Sequence, residues 1–271
     1  VKTAAFQGER GAYSENAVYQ FFGSTIQVKP CRDFRDVFEN VKHLSVQAGV
    51  VPIENSIEGS VNQIYDLFFD YDLKVYGEVI IKIAHCLIVN PGTKISQIKS
   101  VYSHPQALAQ CRSFLGKAKW DLIPTYDTAG SVKIIKEQKL QTTAAIASER
   151  AAEIYGMQIL AKDIADNKEN YTRFFVLSHE DSNPTNKDKT SIIFSTKHEP
   201  GALYHALGEF AKRKINLTRI ESRPTKKTAW EYNFYLDLEG HRKEPKCTEA
   251  LKALSKYTTL IKVLGSYPKA V

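Results

Sequence analysis

Thr172 and Arg173 open an apolar run, Phe174 to Leu177, with Tyr171 just before them. If this is a strand, the hydroxyl and the guanidinium point to opposite faces, because side chains alternate along a strand. A threonine hydroxyl is a poor nucleophile without a base, but it can give a proton or a hydrogen bond to a departing oxygen. Arg173 can clamp a carboxylate through two parallel N–H bonds, or pair internally with Asp163, Asp166 or Glu169. Thr172 can equally be a strand residue chosen for β propensity. By itself the segment reads as an ordinary strand start.

Three other blocks have the same character. Val51 to Ser60 runs from a short apolar strand into a polar loop carrying Glu54, Asn55 and Ser56. Loops at the ends of strands are where α/β folds bind ligands. The Asn55 amide can donate and accept at once, or it can merely close an Asx-type turn. In the second block, Ser103 and Gln106 flank His104-Pro105. A helix beginning at Pro105 points free N–H groups at an anion, although a capped helix without a ligand uses the same residues. His104 precedes proline and shapes the turn. In the third, Gly8 to Ser14 is a Gly-spaced turn that brings Ala12 and Ser14 to a helix start, with Ser14 placed to cap it.

The elements that must position these residues alternate. Strands are expected at 3–6, 26–29, 49–53, 75–89, 100–103, 121–124, 144–147 and 173–177. Helices are expected at 14–22, 34–43, 60–69, 105–115, 128–137 and 149–155. Such alternation argues an α/β sheet. A polar, Pro/Asn-rich run at 179–189 has no apolar period and reads as a break. It ends a first domain at 182, with a linker at 183–189 and a second domain at 190–271. The second domain reads strand, helix, strand, strand, helix, strand, the ferredoxin-like βαββαβ plan. Leu203, Leu207, Phe210 and Ala211 form the expected core stripe of its first helix, and its third strand is expected to start at Trp230.

The four blocks, in this order, closely resemble prephenate dehydratase, and the resemblance spans essentially the whole chain. Pro200-Gly201-Ala202-Leu203 and Glu221-Ser222-Arg223-Pro224 resemble the two signature blocks of the ACT regulatory domain of that family. The first block commonly ends in valine, where this chain has Tyr204. The resemblance implies a two-lobed catalytic part like a periplasmic binding protein, with lobe crossings near 76–79 and 170–172. It implies decarboxylative dehydration of prephenate to phenylpyruvate without cofactor or metal. Thr172, Asn55, Ser103 and Gln106 would be catalytic, and Ala12, Ser14, Glu54, Ser56, Arg173 and Phe174 would bind substrate. L-phenylalanine would act as effector at Gly201, Ala202, Leu203, Asn216, Leu217 and Glu221 to Pro224, in a homodimer or homotetramer. Arogenate, with an amino group replacing the keto oxygen, is the alternative substrate, and a non-catalytic two-lobed binding module is a rival reading.

Composition narrows the field. At 271 residues, 43% hydrophobic and 25% charged, the chain has room for two cores. Its net charge of +7 is spread, with short clusters at Lys212-Arg213-Lys214 and Lys226-Lys227, unlike the concentrated stripe of a nucleic-acid binder. No apolar run is long enough to span a bilayer, and a cytoplasmic protein is expected. Cys31, Cys86, Cys111 and Cys247 are scattered without metal or redox spacing.

Overall fold

The computed structural model describes residues 2–225 and 231–270; Lys226, Lys227 and Trp230 lie outside the described residues. The chain runs β1 (Thr3–Gln7), α1 (Tyr13–Phe22), β2 (Gln27–Cys31), α2 (Phe34–Lys42), β3 (Ala48–Asn55), β4 (Gly59–Ser60), α3 (Asn62–Asp70) and β5 (Lys74–Lys82). It continues through β6 (Cys86–Val89), β7 (Ser100–Ser103), α4 (Pro105–Gln110), α5 (Arg112–Leu115), β8 (Asp121–Pro124), α6 (Thr128–Glu137), β9 (Thr143–Ala147), α7 (Glu149–Tyr155), β10 (Gln158–Ala161) and β11 (Tyr171–Ser178). The remainder is β12 (Asp188–Thr196), α8 (Ala202–Ala211), β13 (Leu217–Pro224), β14 (Tyr232–Glu239), α9 (Pro245–Leu254) and β15 (Thr258–Pro268).

Two compact units result: Val1–Asp70 with Val79–Phe174, and Tyr71–Glu78 with Phe175–Val271. The division falls within β5 and β11. The first unit holds two lobes. One sheet has the order β2-β1-β3-β11-β5, with β4 on β3, and the other has β10-β6-β9-β7-β8. In the first sheet β1 runs parallel to β2 and β3; in the second, β7 runs parallel to β8 and β9. The central strands are apolar on both faces, as parallel strands covered by helices must be; Ala4, Ala5, Phe6, Val50 and Val51 are all fully buried.

Local chemistry sets the helix starts. Asp33, Asp127 and Ser148 accept from Asp36, Gly130 and Ala151 N–H at the starts of α2, α6 and α7, filling donors a helix leaves open. Helix α1 differs from expectation. It begins at Tyr13, Ala12 is the cap position with no side-chain bond, and Ser14 lies buried in the first turn. The carboxylate of fully buried Glu15 takes the Gly11 N–H at 2.5 Å and pairs with Arg10 at 2.5 Å, so no hydroxyl cap is used.

The expected strand at 75–89 is two strands, and the chain changes sheets at 83–85 rather than near 76–79. The backbone there is spent on the returning crossing: Ile83 N–H donates to Asn170 O (2.8 Å) and His85 O accepts from Ile164 N–H (3.0 Å). The expected helix at 105–115 breaks at Cys111 (φ −117°, ψ 23°) into α4 and α5. Strands β4 and β10 lie outside the expected strands; β4 is two residues long, too short for any period.

The second unit carries the antiparallel sheet β13-β14-β12-β15, with α8 and α9 supplying Ala206, Phe210, Cys247, Ala250 and Leu254 to a core against Ile192, Phe194, Leu236 and Leu238. Ala211 is exposed, and Ala202, Ala206 and Phe210 carry the buried stripe at i, i+4, i+8. Strand β12 starts at Asp188, inside the expected linker, because its polar entry is paired: Lys189 Nζ meets Glu78 at 2.8 Å, both buried, and Asp188 accepts from Thr185 N and Oγ1 at 2.7 Å. Gly265 in β15 admits no side chain, since a Cβ there would lie 2.2 Å from Val75 O.

Candidate active site

A cavity of about 590 Å³ opens in the first unit. One lobe contributes Gln7, Tyr13, Phe34, Pro52, Asn55 and Glu58 to Val61; the other contributes His104, Gln106, Ala107, Gln110 and Tyr126 to Thr128. Ile83, His85 and Thr172 stand where the chain crosses. Gly11 (φ +89°) lets the α1 turn approach the opposite lobe: a Cβ would lie 2.7 Å from Ala151 Cα. Ser148 Oγ donates to Gly11 O across the same gap at 2.7 Å.

Asn55 is the hub. Its Oδ1 accepts from Ile57 N and Glu58 N, both at 3.0 Å, so the Asx-type turn is real. Its Nδ2 is thereby committed to donating, and it reaches Asn170 Oδ1 (2.7 Å), Thr172 Oγ1 (2.9 Å) and Tyr171 O (3.2 Å). Asn170 Nδ2 donates to Gln110 Oε1 at 3.0 Å, and Gln110 Nε2 to Glu58 Oε1 at 3.3 Å. His85 Nε2 lies 3.0 Å from the same Gln110 oxygen, and its Nδ1 lies 3.1 Å from the Tyr13 hydroxyl. Burial holds His85 below its ordinary value of 6.5, partly offset by the Gln110 bond. Burial likewise raises the Asp127 carboxyl, opposed by the Gly130 N–H it caps and reinforced by Glu9.

Three expected residues therefore meet in one cavity: Asn55, Gln106 and Thr172. Ser103 does not join them; it is fully buried and its hydroxyl donates to Ile146 O at 2.7 Å. The anion site expected at the α4 start is filled from within, since Gln106 N–H donates to His104 Nδ1 at 3.3 Å and α4 is six residues long. Ser56 is a staple: its Oγ accepts from Tyr171 N (2.9 Å) and donates to Glu169 O (3.2 Å). Arg173 pairs with Glu54 at 3.1 Å, tying β3 to β11 on the face opposite Thr172. Phe174 is core, and Ala12 and Ser14 are buried outside the cavity lining.

Sequence reasoning grouped Tyr13 with Ala12 and Ser14 at the α1 start and assigned no role to the His85, Gln110, Glu58 or Asn170 side chains. Gln110 stands one helical turn after Gln106, which was a usable signal; His85 sat inside a run read as strand. Among the described residues no three His, Cys, Asp or Glu side chains gather as metal ligands. All four cysteines are free and buried, and burial pushes Cys31 and Cys247 to about 11 and Cys111 to about 12. No described helix is long and apolar enough to cross a membrane.

In the second unit, Gly201 (φ +81°) is the cap position of α8, Ala202 is buried, and Leu203 and Leu217 lean on the core. Asn216 Nδ2 donates to Glu239 at 3.2 Å, Glu221 pairs with Arg219, and Ser222 and Pro224 are exposed on β13, where Arg223 lies between them.

The two-lobed α/β unit with its cavity at the crossings, followed by a βαββαβ unit, defines a bilobal domain joined to a small regulatory-type module. The prephenate dehydratase family model matches residues 4–182 and the ACT domain model residues 190–256; the chain belongs to the prephenate dehydratase family. It is 45% identical to prephenate dehydratase of Methanocaldococcus jannaschii over 275 residues, covering 98% of each chain. Two solved structures share the fold at a TM-score of 0.90. Prephenate dehydratase from Arthrobacter aurescens in complex with L-Phe is 33% identical, covering 98% of this chain and 90% of that one. A quorum quenching acylase is 32% identical, covering 98% and 97%.

Proposed function

We propose that the chain converts prephenate to phenylpyruvate, with the Thr172 hydroxyl giving a proton to the departing ring oxygen. The prephenate dianion and one proton yield phenylpyruvate, carbon dioxide and water. The bond to the ring carboxylate breaks, its electron pair enters the ring, and the C–O bond breaks as the hydroxyl leaves protonated. Aromatisation supplies the driving force, so the protein's work is positioning and proton donation. A shared fold does not fix activity, so this reading leans on the site.

The observation that carries it is the 2.9 Å bond from Asn55 Nδ2 to Thr172 Oγ1. That bond occupies a lone pair of the hydroxyl oxygen and leaves its proton for another acceptor. It also opposes charge build-up on Oγ1 as the proton moves, as aligned donors do. Gln106 and Gln110 offer amides to the substrate's carboxylates, and the Glu54–Arg173 pair holds the two strands in register. One feature favours arogenate as a second reading: the carboxylates of Glu58 and Asp127 line the cavity, and either would suit an ammonium. The purified protein is given prephenate or arogenate, with phenylpyruvate read by its absorbance in alkali and phenylalanine by amino-acid analysis. Turnover of prephenate at the higher kcat/KM is expected; preference for arogenate moves the assignment to the second reading, and turnover of neither overturns both.

For the ACT unit we propose an L-phenylalanine site formed by Gly201, Ala202, Leu203, Asn216, Leu217 and Glu221 to Pro224, in a homodimer or homotetramer. The family match and the bound L-Phe of the Arthrobacter relative support it. Coupling between sites is typically about 1–3 kcal/mol and reciprocal. Phenylalanine should weaken binding of a prephenate analogue by the factor by which the analogue weakens phenylalanine. Calorimetry showing no heat for phenylalanine removes the site.

A further inference from the structure

Hydrogen-bond direction runs one way through the amides behind Thr172, with Asn55 and Asn170 buried and Gln110 half-buried, and two anchors set it. At one end Asn55 Oδ1 receives two backbone N–H groups, which can only donate. At the other, Gln110 Nε2 faces a Glu58 carboxylate oxygen, which when ionised can only accept. Between them Asn170 is fixed with Oδ1 toward Asn55 and Nδ2 toward Gln110. Flipping any one amide sets two donors or two acceptors face to face, so the anchors agree on a single arrangement.

Gln110 Oε1 is then an acceptor, and the ring nitrogen 3.0 Å from it must carry hydrogen. On the far side of the ring the Tyr13 hydroxyl donates to Ala84 O at 2.7 Å and lies 3.1 Å from Nδ1, where it can share that proton with a bare ring nitrogen. His85 is 2% exposed, and burial disfavours its charged form.

We infer that His85 is a positioning residue, held as the neutral Nε2–H tautomer, which acts through Gln110 to fix the amide chain that orients Asn55 and the Thr172 hydroxyl. Its role deepens the proposed dehydratase reading and rests on it. At metal centres, groups bonded to the ligating residues fix their orientation and tautomer, at a cost of about 10- to 100-fold when lost, and the same scale is expected for a group that fixes this amide chain.

Two measurements test this. The first needs no turnover: nitrogen-15 NMR of the histidine-labelled protein at neutral pH should show His85 with Nε2 protonated and Nδ1 bare. An Nδ1–H tautomer or an imidazolium overturns the inference, whatever the substrate proves to be. The second is a cycle in prephenate turnover, with thermal melts confirming each fold. His85→Phe should lower kcat about 10- to 100-fold with KM within about threefold, and His85→Gln, whose amide can donate to Gln110, should recover most of it. In a Gln110→Ala background His85→Phe should cost less than about twofold more, because residues that act through one another are not additive. Full additivity, or no rescue by glutamine, overturns it. Loss of prephenate turnover in the parent protein strikes the dehydratase reading alone and leaves the tautomer measurement to decide His85.

Discussion

Buried polar side chains do different things in the two units. In the second unit they close on one another: Thr190 Oγ1 donates to Gly240 O and pairs with Ser266, Ser191 joins Asp237 to Tyr267, and Lys189 meets Glu78. None of these residues lines the cavity of the first unit. In the first unit the chain of Asn55, Asn170 and Gln110 is anchored at one end by backbone N–H groups, and its other members end on a cavity with a threonine hydroxyl proton to give. Closed polarity is architecture, and polarity left open on one side is a site. Stability should therefore answer to the first kind of residue and turnover to the second.

Lys189→Met should break that comparison most visibly, removing the ammonium 2.8 Å from the buried Glu78 carboxylate. Removing one partner of a buried pair costs about 3–5 kcal/mol, read as a lower denaturant midpoint, while replacing both Lys189 and Glu78 by apolar residues should recover much of it. Asn55→Ala belongs to the other class. Losing one preorganised donor costs about 10²–10³-fold in kcat, with far less change in the melt. Gly265→Ala forces the β15 backbone away from Val75 and should cost about 1–3 kcal/mol, again without changing turnover per folded molecule.

The smallest effect is that of acid on the site itself. His85 has its folded value depressed below 6.5, so the unfolded chain takes up the proton first. The stability that neutral His85 carries is present above 6.5 and is lost as pH falls below it. Tyr13 is hydrogen-bonded to the ring and Glu58 is linked to it through Gln110, with the buried Cys86 and Cys111 thiols close to Tyr13. In His85→Gln this part of the acid sensitivity should vanish, checked by the slope of melting temperature against pH.

The sequence disclosed the polar blocks better than it disclosed how they are used. Thr172 and Asn55 could be read because they sit at strand ends whose apolar runs are plain. Their mutual bond could not be, since it joins residues 117 positions apart. Ser103 looked like a ligand residue because a hydroxyl before a helix start resembles an anion site, yet the strand's alternation had already turned it toward Ile146 O. Arg173 was divided between a substrate clamp and three acidic residues near it in sequence; its partner Glu54 came from the neighbouring strand, a pairing that only sheet order reveals. His85 was hidden because an apolar run interrupted by one histidine resembles a continuous strand, and the crossing there is made by tertiary backbone bonds. The polar entry of β12 read as linker because Lys189 finds its counter-charge 111 residues back, at Glu78.

Thr172→Val tests the central claim most directly, since valine keeps the shape and removes only the hydroxyl. Asn55 Nδ2 still has Asn170 and Tyr171 as acceptors, so the site should stay folded. With prephenate in single-turnover conditions, kcat should fall by about 10²–10⁴-fold, the range for a lost general acid, with analogue binding nearly unchanged, while Thr172→Ser retains most activity. A Thr172→Val protein that turns over within a few-fold of the parent contradicts the account.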